Sequence, residues 1–284
     1  MITKIGAAGK VCLFTYASTH LVVDVDGFVP PGSTLAPVTA ARLLETRPGL
    51  PTVDGVAQGG GARSAGSSTI VAVAGRAMIP VAATAAVLNV AVTNAGAPGF
   101  LTVYPCGSPV PNAANLNFTA SSTSSKLAVA KLGTGGSVCI FTSAPTDLVV
   151  DVDGFFPGVS TYAPLVPARL LETRTGLATV DGVSNAVGRR SAGSVTTLQV
   201  TGRGGVPAGA ATAVLNIAVT DPGSAGFVTA YPCGTDRPNA ASLTYSANGN
   251  APNAVVAQVG ADGDVCLFTY AATDLVVDVL GYMP

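Results

Sequence analysis

The sequence predicts an all-β chain made of tandem antiparallel β-sandwich domains, and three observations carry that expectation. The chain repeats itself: Asp-Leu-Val-Val-Asp-Val-x-Gly stands at Asp147–Gly154 and again at Asp274–Gly281, with a near copy at His20–Gly27, each 127 residues from the next without insertion or deletion. Its composition is 48% hydrophobic and only 10% charged, with 34 Gly, 20 Pro and no Trp, whereas globular chains carry roughly 25% charge. Such a chain lacks the charged faces that amphipathic helices need. Finally, β-branched runs bounded by Gly or Pro recur at the spacing of about 8–12 residues typical of sandwiches.

Everything else falls into the 127-residue register. Ala41–Arg47 matches Ala168–Arg174, Ala86–Thr93 matches Ala213–Thr220, and Gly99–Gly107 matches Gly226–Gly234. A period of this length is too long for one coil of a solenoid and has the size of a complete domain. Residues 1–34 read as the C-terminal part of a preceding unit, 35–161 as one whole sandwich and 162–284 as a second. Within the first whole unit, strands are expected at 67–75, 85–94, 99–105, 114–119, 126–132, 137–143 and 146–153. The opening Ala41–Arg47 suits either a strand or a single helical turn. Ala-rich Val81–Ala91 has a helical rival, but Val87, Val90 and Val92 between Pro80 and Gly96 favour a strand. Gly96–Gly99 and Gly133–Gly136 suit hairpin connections. The join between units, Phe156–Tyr162, is short and holds a proline, so limited freedom is expected between them.

The five cysteines follow the same register. Cys106 and Cys139 recur as Cys233 and Cys266, and Cys12 corresponds to Cys139. The simplest frame is one disulfide per whole unit, Cys106–Cys139 and Cys233–Cys266, with Cys12 unpaired. A permuted frame (Cys12–Cys106 and Cys139–Cys233) and a set of reduced core cysteines both remain open at this point. Bridges imply an oxidising compartment outside the cytoplasm. A cysteine metal site is disfavoured, because no C-x-x-C occurs and the only histidine is His20.

The charges retained in both whole units are arginines and acids, not lysines. Arg42, Arg47, Arg63 and Arg76 recur as Arg169, Arg174, Arg190 and Arg203; Glu45, Asp54, Asp147 and Asp151 recur as Glu172, Asp181, Asp274 and Asp278. Four arginines against four acids read as a balanced ion-pair set, since arginine suits planar, partly buried pairing. Structural pairing is expected of Arg42, Glu45, Arg47 and Asp151, and of Arg169, Glu172, Arg174 and Asp278. A calcium reading of Asp24/Asp26 and Asp151/Asp153 is the rival; it is weakened by Leu280, which replaces the second acid in the last copy. No metal and no cofactor are expected.

Function classes narrow accordingly. A net charge of −1 offers no basic footprint for nucleic acid, and no apolar run approaches a membrane span of ~20 residues. Met1 leads straight into a repeat, without a signal peptide. An unrepeated histidine supplies no triad, and a glycosidase pair such as Glu45 with Asp54 has no support from spacing. Tyr104/Tyr231 are the clearest retained tyrosines and are expected to cover the disulfide. Asn89/Asn216 and Asn112/Asn239 suit turn or backbone hydrogen bonds.

The series Pro167–Arg174, Thr201–Pro207, Ala213–Thr220, Gly226–Gly234 and Asp274–Tyr282 resembles a tandem repeat of roughly 125 residues found in secreted and cell-surface proteins of actinobacteria and related high-GC bacteria. The resemblance covers essentially the whole chain. The first unit departs at Thr39-Ala-Ala and Arg76-Ala-Met-Ile-Pro80, both expected in connections. The resemblance implies an extracellular, non-catalytic module with no agreed ligand. The expected function is structural or adhesive: a surface stalk, spacer or assembly subunit, with the cell wall or surface glycan or further copies of itself as partners. A carbohydrate or cell-wall binding module and a self-assembling filament or sheath subunit are the alternatives.

Overall fold

The structure, a computed structural model, describes residues 7–13, 18, 23, 35–158 and 161–284. The apolar strands expected in residues 1–34 lie largely outside the described residues. The first unit contains β1 (Ala36–Glu45), β2 (Ser67–Ala72), β3 (Ala85–Thr93), β4 (Gly99–Pro105), β5 (Leu116–Phe118), β6 (Ser124–Lys131), β7 (Ser137–Thr142) and β8 (Asp147–Phe156). The second contains β9 (Ala163–Glu172), β10 (Ser194–Gln199), β11 (Thr212–Thr220), β12 (Gly226–Pro232), β13 (Leu243–Tyr245), β14 (Ala251–Gln258), β15 (Asp264–Thr269) and β16 (Asp274–Met283).

These strands form four antiparallel sheets of four strands each. In the first unit, β1-β8-β3-β6 packs on β2-β7-β4-β5; in the second, β14-β11-β16-β9 packs on β10-β15-β12-β13. The chain is therefore a tandem of all-β sandwiches. Ala41–Glu45 is the end of β1, which resolves its ambiguity in favour of a strand. Ala-rich Ala85–Thr93 is a central strand, hydrogen-bonded to β6 on one side and β8 on the other. Helical propensity loses there because an inner strand places all its backbone groups in ladders and its valines on both faces.

Strand periodicity builds each core. Ala86, Leu88, Val90 and Val92 of β3 and Leu148, Val150 and Val152 of β8 point inward to Val71, Leu101, Val103, Val138 and Ile140 of the other sheet. The second core repeats this with Leu215, Ile217, Leu275 and Val277 against Leu198, Val228, Val265 and Leu267. A register shift between Val87 and Leu88 leaves Asp153 as an extra residue between Val152 and Gly154 of β8. The bulge flips the alternation, so Phe155 packs on the first core while Phe156 faces out. Leu280 occupies the same bulge position in β16.

The two sandwiches meet through the outer faces of the β1-β8-β3-β6 and β14-β11-β16-β9 sheets. Leu35, Ala85, Val87, Val129 and Phe156 of the first unit cluster with Tyr162, Val214, Leu280 and Met283 of the second. The Phe156 and Tyr162 rings lie 4.2 Å apart, and the Tyr162 hydroxyl donates to the Leu280 carbonyl at 3.2 Å. Asn216 donates to the Ala114 carbonyl at 2.6 Å and Asn112 to the Ala178 carbonyl at 3.5 Å. These two retained asparagines thus bond backbone across the junction. The contact is made mainly by the inner pair of sheets, and the β4–β5 side of the first unit's other sheet also reaches β9 and β14; β10-β15-β12-β13 takes no part in the apolar cluster.

Candidate functional site

The retained charges converge where β1 meets β8. Glu45 is fully buried at the end of β1. The Arg47 guanidinium clasps both its carboxylate oxygens at 2.8 Å, and Arg42 Nη1 adds a bond at 2.9 Å. Arg42 Nε reaches back to Asp151 of β8 at 2.8 Å, its direct neighbour in the ladder. Hydrogen bonds from Arg47 hold the Glu45 carboxyl below its ordinary range. The same set recurs as Arg174–Glu172–Arg169–Asp278. Burial works against ionisation of Glu172, and the Arg174 bonds outweigh it. For Asp278 burial wins: its carboxyl is raised although Arg169 bonds to it, and its Oδ2 has no hydrogen-bond partner.

A second clasp fastens the long β1–β2 connection. Arg76 binds Asp54 bidentately, Nε to Oδ2 and Nη2 to Oδ1 at 2.7 Å each, and donates to the Leu43 and Ala72 carbonyls. Arg203 does the same with Asp181, Leu170 and Gln199. The guanidinium bonds lower Asp54 and Asp181 to about 2. Asp147 accepts from Thr46 Oγ1 at 2.6 Å and Asn94 Nδ2 at 3.0 Å. The balanced set expected from the sequence therefore needs correction at Arg63 and Arg190, which join no ion pair among the described residues. The retained acids are already held by the other arginines and by hydroxyl or amide donors.

Chemically, these carboxylates are held, not poised. Both oxygens of Glu45 and of Asp54 are occupied by different arginines, so neither faces the other as an acid–base pair would. Asp151 is taken by Arg42, and no group of three or more potential metal ligands occurs among the described residues. Burial raises Asp153, with the neighbouring Asp151 charge adding to it.

Cys106 is joined to Cys139 and Cys233 to Cys266, each pair with Cα atoms 5.0 Å apart, and Cys12 is free and exposed. Each bridge links neighbouring strands of an outward sheet, and Tyr104 packs on the first. Disulfides of this kind persist in oxidising surroundings.

The outward sheets carry a feature that the sequence reading passed over. Phe100 of β4 and Phe141 of β7 lie with ring centroids 5.9 Å apart at 43°, and Phe227 and Phe268 repeat that geometry to the same values. Phe100 is 37% exposed. In the second unit Tyr270, 56% exposed, stacks on Phe227 at 4.9 Å, and the Arg237 guanidinium covers Phe268 at 3.8 Å. The signal is present in the sequence, since Phe100 recurs as Phe227 and Phe141 as Phe268 in register.

No protein-family model matches this chain, and no curated protein matches it. Among solved structures it is similar to the N-terminal CBM22-1–CBM22-2 tandem domain of Paenibacillus barcinonensis Xyn10C, at 12% identity and a TM-score of 0.21, covering 87% of this chain and 99% of that one. It is also similar to the PBSX exported protein XepA, at 11% identity and a TM-score of 0.26, covering 92% and 100%. Likeness at this level identifies neither a family nor a ligand.

Proposed function

We propose that this chain is a non-catalytic, extracellular structural and adhesive module, a stiff spacer of two sandwiches of the kind its actinobacterial-type repeat motifs suggest. The junction carries the reading. An apolar cluster, a Phe156–Tyr162 ring contact and two asparagine bonds tie the units together, with a buried Arg169–Asp278 pair in the sheet beneath. Two disulfides fit that setting. The arginine-bound carboxylates support the non-catalytic part. Incubation with purified wall polymers is expected to release no sugar or peptide; hydrolysis lost on Glu45→Ala or Glu172→Ala would overturn it.

A second reading, carbohydrate or cell-wall glycan binding, is favoured by the duplicated phenylalanine pair on the outward sheets. Rings on a flat sheet face offer an apolar platform to the C–H face of a sugar. Glycan binding reduced by Phe100→Ala and Phe227→Ala is the expected result, and unchanged binding would remove this reading.

A further inference from the structure

The unpaired arginine lies beside the outward face. Arg63 precedes β2, the edge strand next to β7, and is fixed by a backbone bridge to Thr146; Arg190 is bridged in the same way to Thr273. Neither has a carboxylate partner among the described residues, and the Nε of each is buried without a hydrogen-bond partner. The Arg63 guanidinium lies against Gly60, where a Cβ would come within 2.7 Å of Nη2. Arg190 Nη2 donates to the Val187 carbonyl at 2.6 Å. The loop thus holds a cation in place without neutralising it, which costs free energy unless a ligand or solvent compensates.

An open groove of about 450 Å³ runs along this edge, lined by Arg63, Ser64, Ser67, Ser68, Thr69 and Ile70. The run Arg63-Ser-Ala-Gly-Ser67 recurs unchanged as Arg190-Ser-Ala-Gly-Ser194, although neither core uses it. Its turn is set by Ser67 Oγ donating to the Ser64 carbonyl at 2.6 Å, and Ser194 to Ser191 likewise. Ser68 joins groove to platform: its Oγ is 2.8 Å from the Tyr104 hydroxyl, and it sits directly opposite Phe141 in the ladder. Facing residues on one side of an antiparallel pair have Cβ atoms about 5 Å apart.

We propose that this edge binds a carboxylate-bearing polysaccharide, with Phe100 and Phe141 under a sugar ring, the serine hydroxyls on its polar edge and the Arg63 guanidinium on its carboxylate. A guanidinium fork matches a carboxylate bidentately, which an ammonium does not, and a carboxylate is what the remaining arginines of this unit already hold. The second unit keeps the arginine, both loop serines and both phenylalanines but has Val195 where the first has Ser68, so the first unit is the stronger site. This inference rests on the glycan reading of the outward face and adds the ligand's charge.

The test is calorimetric titration of the whole chain with polygalacturonate, cellohexaose and polyglutamate. Polygalacturonate alone is expected to bind, with affinity that falls as salt rises. Arg63→Gln is expected to weaken it about tenfold or more, Arg190→Gln less, and Arg63→Lys to restore only part. Circular dichroism of each variant reports folding, and Phe100→Ala provides a second, independent loss. If cellohexaose binds equally and only Phe100→Ala matters, the glycan reading stands and the carboxylate inference falls. Equal binding of polyglutamate overturns the sugar specificity, and no binding of any polymer overturns both readings.

Discussion

The same four-residue ion cluster sits in two environments in this molecule. In the first unit the Arg42 and Asp151 side chains are 34% and 24% exposed; in the second, Arg169 and Asp278 are 6% and 1% exposed. Bond lengths hardly differ, at 2.8 and 2.9 Å between Nε and Oδ1. The difference comes from burial of the β14-β11-β16-β9 face, where Asn216 is covered and bonds across the junction while Asn89, its counterpart, stays half-buried. An ion pair conserved in geometry is therefore not conserved in energetics: removing one partner matters most where water cannot replace it.

This comparison breaks most sharply on arginine removal. Arg169→Met leaves Asp278 buried without its cation and is expected to cost about 3–5 kcal/mol, against about 1 kcal/mol for Arg42→Met, where solvent screens the loss. Chemical denaturation of the two variants measures both, and equal losses would deny that the junction sets the difference. The disulfides should behave the opposite way, because both lie in outward sheets. Replacing Cys106/Cys139 or Cys233/Cys266 by serine is expected to cost roughly 3–4 kcal/mol in either unit, read from the midpoint of thermal unfolding.

A smaller effect separates junction from core. Tyr162→Ala removes the Phe156 contact and the bond to the Leu280 carbonyl, and is expected to cost about 2–3 kcal/mol. Its signature is a single unfolding transition that splits in two. Acid sensitivity follows from Asp54 and Asp181, both lowered to about 2 by their arginines. A carboxyl with a depressed folded-state pKa stabilises fully above its unfolded value and loses that contribution as pH falls through the folded value. Stability should therefore drop between about pH 4 and pH 2, and Asp54→Asn with Asp181→Asn should flatten that drop. Raised Asp278 acts in the other sense, gaining as it protonates. Smallest of all, Asn216→Ala is expected to cost about 1 kcal/mol and Asn89→Ala close to nothing.

Much of the architecture was legible because strands announce themselves in register. The alternation Leu148, Val150, Val152 against Asp147, Val149, Asp151 fixes which side of β8 faces the core, and the repeat lets every such reading be made twice. What the sequence hid was partnership across space. Arg63 and Arg76 are retained alike in both units, yet Arg76 finds Asp54 across a loop and Arg63 finds no acid among the described residues. Phe100 and Phe141 are 41 residues apart and become a pair only because β4 and β7 are neighbours. In the sequence, Leu280 in place of Asp153 counts only against a calcium site; in the fold it is a bulge residue in the apolar junction, where a carboxylate would be buried.

The central claim is that the two sandwiches form one stiff body, and backbone ¹⁵N relaxation tests it most directly. Residues 35–158 and 161–284 should report a single rotational correlation time, that of one particle holding both units, and Tyr162→Ala should shorten it. Two separate, shorter correlation times in the unaltered chain, each matching one sandwich, would contradict the spacer account.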